Sequence, residues 1–180
     1  VIKAKATFVS RRVVEAAEQT IRARRFVIAT GSRPTAPPIP GLAQTPYLTN
    51  ESIFGLTDLP RHLVVIGGGP IGCELAQAFR RLGSSVTVLE AMTILPKDDP
   101  QLTAVVRQQL IRDGVILHEK ANITRVSPSP GGVSVTLKSG GVVEGSHLLV
   151  ATGRSPNVEG LGLEQAGIAY TARGITVDAS

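Results

Sequence analysis

The stretch that most constrains this chain is VVIGGGPIGCELA, residues 64–76. It holds the spacing G-x-G-x-x-G as Gly67, Gly69 and Gly72. Alone, that spacing is common. Here it follows HLVVIG, a continuous apolar run of the kind found in a strand covered on both faces. It then opens PIGCELAQAFRRLG, which places Ile71, Leu75, Ala78, Phe79 and Leu82 on one helical stripe and stops at Gly83. A second strand, SSVTVLE, ends on an acid, Glu90. Strand, glycine turn, helix, strand and terminal acid together are the dinucleotide-binding fingerprint.

Each residue type has a physical reason to be there. Gly67 permits the tight turn. Gly69 has no side chain, so a pyrophosphate can approach the backbone. Gly72 allows the helix to pack closely on the strand. Free N–H groups and the positive end of the helix dipole then face the phosphates. Glu90 can accept hydrogen bonds from the adenosine ribose hydroxyls, and it would repel the 2′-phosphate of NADP. Between Leu82 and Val105 the only cationic residue is Lys97, so NADH is expected over NADPH.

The pattern continues on both sides of the fingerprint. DDPQLTAVVRQQLIRDG predicts a second helix, with Asp99 as cap, Pro100 in first position, Leu102, Val105, Val106 and Leu110 as its apolar stripe, and Gly114 at its end. VILHEK predicts a third strand. ITRVSPS, GVSVTLKS and GVVEGSHLLVATG predict a β-meander that ends in a buried strand. Upstream, Ala6–Val9, Arg12–Ala16 and Thr20–Ile28 predict a small antiparallel meander. GSRPTAPPIPG, with four prolines, predicts an extended connector. TNESIFGL predicts a short helix capped by Thr49 or Asn50. The order β-α-β-α-β followed by a meander predicts an α/β fold: a Rossmann-like domain with a parallel sheet.

Composition narrows the function. Of 180 residues, 42% are hydrophobic and 18% charged, enough to build a core. The net charge of +5 comes from scattered Lys and Arg, and aromatics are 3% of the chain, so a nucleic-acid surface is not expected. The single cysteine, Cys73, permits no intramolecular disulfide and reads as a packing residue. His62, His118 and His147 lack metal spacing, so no metal is expected. No apolar run reaches membrane-spanning length, and a cytoplasmic location is expected. The first residue is Val1 and the last residues are GITVDAS, so both ends read as cut from something longer.

One internal echo remains. FVIATGSRP, residues 26–34, returns as LLVATGRSP, residues 148–156. The order ATG-S-x-P, proline-rich connector, GGGPIGCELA, VTVLE and ATGRSPN resembles the pyridine nucleotide-disulfide oxidoreductases, the flavoprotein family that includes dihydrolipoamide dehydrogenase, glutathione reductase and mercuric reductase. In that family the NAD domain is inserted into the FAD domain, and the two ATG segments are the exit and the return. The resemblance implies partial FAD-domain pieces at 1–32 (meander and exit strand) and 153–180 (return), a connector at 33–60 and an NAD-binding domain at 61–152. It implies that Thr30, Gly31 and Ser32 lie beside FAD. It places Gly67, Gly68, Gly69, Pro70, Ile71, Gly72 and Glu74, with Glu90, Ile123 and Gly153, around NAD. Glu74 matches a position near the nicotinamide and flavin that pairs with a lysine of the FAD domain.

The family's FAD fingerprint, redox cysteine pair, later FAD-contacting Asp and dimerisation domain with its His-Glu pair are absent from these residues. The expected function is therefore the NADH-positioning part of an FAD-dependent, homodimeric parent, with no catalytic residue of its own and no turnover alone. Two other readings stay open at this point. One is the same domain of a non-disulfide flavoprotein such as an NADH oxidase or ferredoxin reductase. The other is a stand-alone nucleotide-binding module.

Overall fold

The computed structural model describes residues 1–178, so the last two positions of the predicted return segment lie outside the described residues. The chain forms two compact units, Val1–Arg33 with Arg154 onward, and Pro34–Gly153.

The first unit opens with an antiparallel meander, β1 (Ala6–Ser10), β2 (Val13–Ala16) and β3 (Gln19–Arg22). The predicted third strand ran on to Ile28. It stops instead at Arg22, whose partner Val13 is the first residue of β2, so there is no further strand to pair with. Phe26 and Ile28 turn inward instead, joining Phe8 and Val14 in an apolar cluster. Phe8 and Phe26 meet edge to face at 5.1 Å between centroids. The chain then reaches β4 (Ser32–Pro34).

In the second unit, β5 (His62–Ile66), α1 (Pro70–Leu82), β6 (Ser85–Leu89), α2 (Pro100–Arg112) and β7 (Ile116–His118) form the predicted alternation. The meander β8 (Ile123–Ser129), β9 (Gly132–Leu137) and β10 (Val142–Gly145) follows, and then β11 (His147–Val150). The parallel sheet runs in the order β11-β5-β6-β7. Successive residues of β5 point to opposite faces, as a strand requires. Leu63 and Val65 pack with Cys73, Leu75 and Ala76 of α1 and Leu110 of α2. Val64 and Ile66 pack with Val126, Val133 and Val135 of the meander. The sheet is thus covered by helices on one side and the meander on the other, which explains its unbroken apolar runs. Residues 34–60 fold with this unit. Leu42 and Ile53 are buried, and Leu48 hydrogen-bonds through its N–H to the Leu148 carbonyl and through its carbonyl to the Val150 N–H.

Three local expectations need correction. TNESIFGL forms a single 3₁₀ turn, Ile53–Gly55, with Ser52 at its cap position and no side-chain cap. Thr49 instead accepts the N–H groups of Ser52 and Ile53 through its own carbonyl. On α1 the buried residues are Gly72, Cys73, Leu75 and Ala76, while Ala78 and Leu82 are exposed. Leu75 is buried as predicted and Ile71 and Phe79 pack against the same core, while the small Gly72, Cys73 and Ala76 complete the sheet-facing side where the helix starts against the glycine turn. On α2 the predicted stripe is split: Leu110 is buried as expected, and its other three members face outward. Leu102 and Val105 are 68% and 65% exposed, and Val106 is exposed as well. The inward stripe is Thr103, Arg107 and Leu110, at i, i+4 and i+7, where Thr103 and Leu110 are buried and Arg107 forms an ion pair. Asp99 does cap α2, its Oδ1 accepting the N–H of Gln101 at 2.7 Å, with Pro100 behind it.

The first unit resumes with β12 (Arg154–Pro156), which pairs with β4, and a small hairpin of β13 (Tyr170–Thr171) and β14 (Gly174–Ile175). Here the echoed ATG segments meet. Thr30 Oγ1 donates to the Asn157 carbonyl at 2.7 Å, and Asn157 Nδ2 donates to the Thr30 carbonyl at 2.9 Å.

Candidate functional site

The turn between β5 and α1 is held by its own backbone. Gly67 has φ +111°, a conformation that favours glycine, and its N–H donates to the Leu89 carbonyl at 2.9 Å. A Cβ on Gly67 would stand 2.5 Å from the Ala151 carbonyl oxygen. A Cβ on Gly72 would stand 1.9 Å from the Gly67 carbonyl oxygen. The strand-to-helix packing therefore admits no side chain at either position.

Gly69 differs. It is the N-cap of α1, in extended conformation, and a Cβ there would meet nothing within 4 Å. No side chain caps the helix, and Pro70 occupies its first turn. The positive end of α1 thus opens onto free space. That space is a cavity of about 750 Å³ at the carboxyl ends of the parallel strands. Open α/β sheets bind ligands at this end.

Of the residues the sequence places around a dinucleotide, Gly67, Gly69, Pro70, Ile71, Glu90, Ile123 and Gly153 line the cavity. Gly68, Gly72 and Glu74 do not. Gly68 and Gly72 are buried under the turn, and Glu74 is exposed on α1. Thr30, Gly31 and Ser32 belong to the first unit. There Thr30 and Gly31 are exposed, and Ser32 Oγ accepts from Arg154 Nε at 2.8 Å. Gly31 has φ +66° with open space where a Cβ would lie.

Glu90 sits one residue past β6. Its Oε2 accepts the Gly68 N–H at 2.6 Å and its Oε1 the Met92 N–H at 2.8 Å. Each carboxylate oxygen keeps lone-pair capacity for another donor. The site can therefore offer N–H groups to an anion at one end and a carboxylate to hydroxyls at the other. Lys97 is the one Lys or Arg among the lining residues.

Two features of the site escape a reading of the sequence. The first is the role of Gly68. Its N–H goes to Glu90, and its carbonyl accepts from the Leu95 N–H at 2.9 Å and the Cys73 Sγ–H at 3.3 Å. A Cβ on it would meet Ile94 Cγ2 at 2.8 Å and Glu90 Cβ at 3.0 Å. The second is Glu119, whose Oε1 accepts the Ile94 N–H at 2.8 Å and whose carboxylate pairs bidentately with Arg107 at 2.9 and 2.8 Å. The Arg107 hydrogen bonds hold the Glu119 carboxyl below its ordinary range, with further help from the Ile94 N–H and the charges of Arg107 and Lys120 against the cost of desolvation. An acid at the end of the third strand was the available signal. Cys73 is buried, and its thiol is pushed up to about 11 by burial and by the charges of Glu90 and Glu119. It is a packing thiol rather than a nucleophile.

An open α/β sheet with a glycine turn and an acid on its second strand defines a dinucleotide-fold protein. The chain belongs to the pyridine nucleotide-disulphide oxidoreductase family, whose model matches residues 1–180. It is 39% identical over 161 residues to a mercuric reductase of Streptomyces lividans, covering 88% of this chain and 34% of the relative. It is 40% identical over 171 residues to a mercuric reductase of Lysinibacillus sphaericus, covering 93% and 31%. Among solved structures, the Cu(II) complex of the HOCl-induced flavoprotein disulfide reductase RclA from Escherichia coli superposes with TM-score 0.91 at 34% identity, covering 99% of this chain and 41% of that one. LpdA from Mycobacterium tuberculosis gives 0.83 at 31% identity, covering 97% and 40%. The chain spans about a third of the length of the curated relatives it matches. Among the described residues, no helix is long and apolar enough to cross a membrane.

Proposed function

We propose that the second unit binds NADH in the cavity at the head of α1 and positions it for a parent oxidoreductase that uses FAD. The observation that carries this reading is the pairing of an uncapped helix start at a side-chain-free Gly69 with a carboxylate, Glu90, in one cavity. The Ile71 N–H, beside Gly69 at the positive end of α1, holds the pyrophosphate. Glu90 takes the adenosine ribose hydroxyls and disfavours a 2′-phosphate, so NADH is preferred to NADPH. Ile123 and Gly153 line the same space, with Gly153 leaving room for the ligand's backbone approach. Glu74, on the exposed side of α1, is the residue assigned to pair with a lysine of the parent's FAD domain.

Bound there, NADH would supply the hydride for a flavin held by the parent, and the part of this chain would be to bind and orient the dinucleotide. Thr30, Gly31 and Ser32 are assigned to the FAD side of the parent. The family model and the mercuric reductase and flavoprotein disulfide reductase relatives support an oxidoreductase parent whose remaining domains complete the FAD site; a homodimeric, cytoplasmic parent is part of this proposal. The segment alone carries no turnover in this reading. A crystal structure of the full-length protein with NADH tests it. The pyrophosphate is expected within hydrogen-bond distance of the Ile71 N–H, with the adenosine ribose on Glu90. NADH bound away from α1 overturns the reading.

A further inference from the structure

The loop that follows β6 carries an arrangement that nothing in the fingerprint requires. From Glu90 to Leu95 the chain crosses the top of the glycine turn. It holds the turn at Gly68, through both the N–H and the carbonyl of that residue. Glu90 receives the Gly68 N–H, and Leu95 donates to the Gly68 carbonyl. Ile94, fully buried, fills the space that a Gly68 side chain would need. Leu95 itself adopts φ +48°, a left-handed conformation that a leucine holds only when its surroundings impose it. One residue earlier, Glu119 accepts the Ile94 N–H on one oxygen while Arg107 of α2 grips both of its oxygens. A bidentate guanidinium leaves a carboxylate little freedom to rotate. The chain of contacts therefore runs from α2 through Arg107, Glu119, Ile94 and Leu95 to the Gly68 peptide.

We infer that Glu119, oriented by Arg107, is a positioning residue for the dinucleotide cavity: it fixes the 91–95 loop, and through it the glycine turn, in the shape that receives the ligand. This deepens the NADH reading of the same cavity and rests on it. Neither residue lines the cavity, so neither touches the ligand. What they supply is preorganisation, since binding to a loosened turn would first require ordering it. Leu95, Pro96 and Lys97 do line the cavity, which couples the loop's position directly to the ligand's surroundings.

The test compares Glu119→Ala with Glu119→Gln in the full-length protein. Both remove the ion pair with Arg107 and are expected to lower the melting temperature of the ligand-free protein by similar amounts. Only Gln keeps a carbonyl oxygen that can accept the Ile94 N–H. NADH affinity, measured by fluorescence titration, is expected to fall about tenfold in Glu119→Ala and to return to within about threefold of wild type in Glu119→Gln. Arg107→Ala, which keeps the Glu119 carboxylate but removes the guanidinium that orients it, is expected to weaken NADH binding by severalfold. Equal affinities for wild type, Glu119→Ala and Arg107→Ala overturn the inference. So does an affinity loss in Glu119→Gln as large as that in Glu119→Ala, since the anchor to Ile94 would then not be what matters. Gly69→Val is the control that separates this from the site itself. If it abolishes NADH binding while the Glu119 variants leave binding intact, the cavity reading stands and the positioning role falls. If Gly69→Val also binds normally, the cavity reading has failed.

Discussion

Gly69 and Gly72 sit three residues apart in one motif, and adding the same methyl group to each has opposite expected consequences. On Gly72 the new Cβ would lie 1.9 Å from the Gly67 carbonyl oxygen, well under the 3.0 Å below which something must move. The backbone would have to shift by roughly 1 Å, and it has nowhere to go. Gly67 is fixed through its N–H to Leu89, and the space beside its α-carbon is closed by the Ala151 carbonyl. Neither neighbour is a flexible side chain. The cost of Gly72→Ala is therefore at the upper end for an overpacked site, about 3 kcal/mol. For a unit of this size that is a drop of about 10 °C in melting temperature. Gly69→Ala places its methyl in open space at φ −73°, so its stability should stay within about 1 kcal/mol of wild type. Thermal denaturation of the two full-length variants, followed by circular dichroism, decides the matter. A Gly72→Ala variant that melts with wild type would refute the claim that the helix and turn are in hard contact. A Gly69→Ala variant as damaged as Gly72→Ala would refute the claim that the space above Gly69 is kept for a ligand.

Two further outcomes follow from the acids that flank the cavity. Glu90→Arg should move the preference from NADH towards NADPH by about tenfold or more in kcat/KM, because it replaces a repelled 2′-phosphate with an attracted one; steady-state kinetics with both cofactors checks this, and an unchanged ratio removes Glu90 from the role. Glu119, whose carboxyl is lowered in the folded state by Arg107, stabilises the fold above its ordinary value of 4.5 and loses that contribution as the pH falls through the lowered value. Melting curves from neutral pH down into that acid range should therefore fall less steeply for Glu119→Gln than for wild type, and parallel profiles would show that the pair does not contribute.

Where sequence and structure agree, the reason is local geometry. A cap residue, a proline in the first helical turn and a glycine at a forced φ act on their own neighbours, so Asp99, Pro100, Gly67 and Gly83 could be placed without knowing the rest of the fold. The unbroken apolar run of β5 was equally legible, because both faces of that strand are covered. The failures concern which side of a helix packs inward. On α2 Leu102, Val105 and Val106 point out, and Leu110 packs inward beside Thr103 and Arg107, which no hydrophobic periodicity would select. That choice is made by tertiary contacts, namely the Glu119 carboxylate and the edge of the sheet. On α1 Leu75 is buried as predicted, but Gly72, Cys73 and Ala76 take the place of Ala78 and Leu82 because the helix start lies hard against the turn, a distance that composition does not encode. The site divides in the same way. The glycines and Glu90 were visible as a spacing, whereas Gly68 as the anchored peptide and Glu119 as its remote support depend on loops folding over one another.

The central claim is that an NADH pyrophosphate lies on the open turn at Gly69. Titration of NADH into full-length wild type and Gly69→Val, each checked for an unchanged melting temperature, tests it most directly. A valine there fills the space that no protein atom occupies within 4 Å. The account predicts that affinity falls by about a hundredfold or more while the fold is kept. Wild-type affinity in a folded Gly69→Val variant would contradict it.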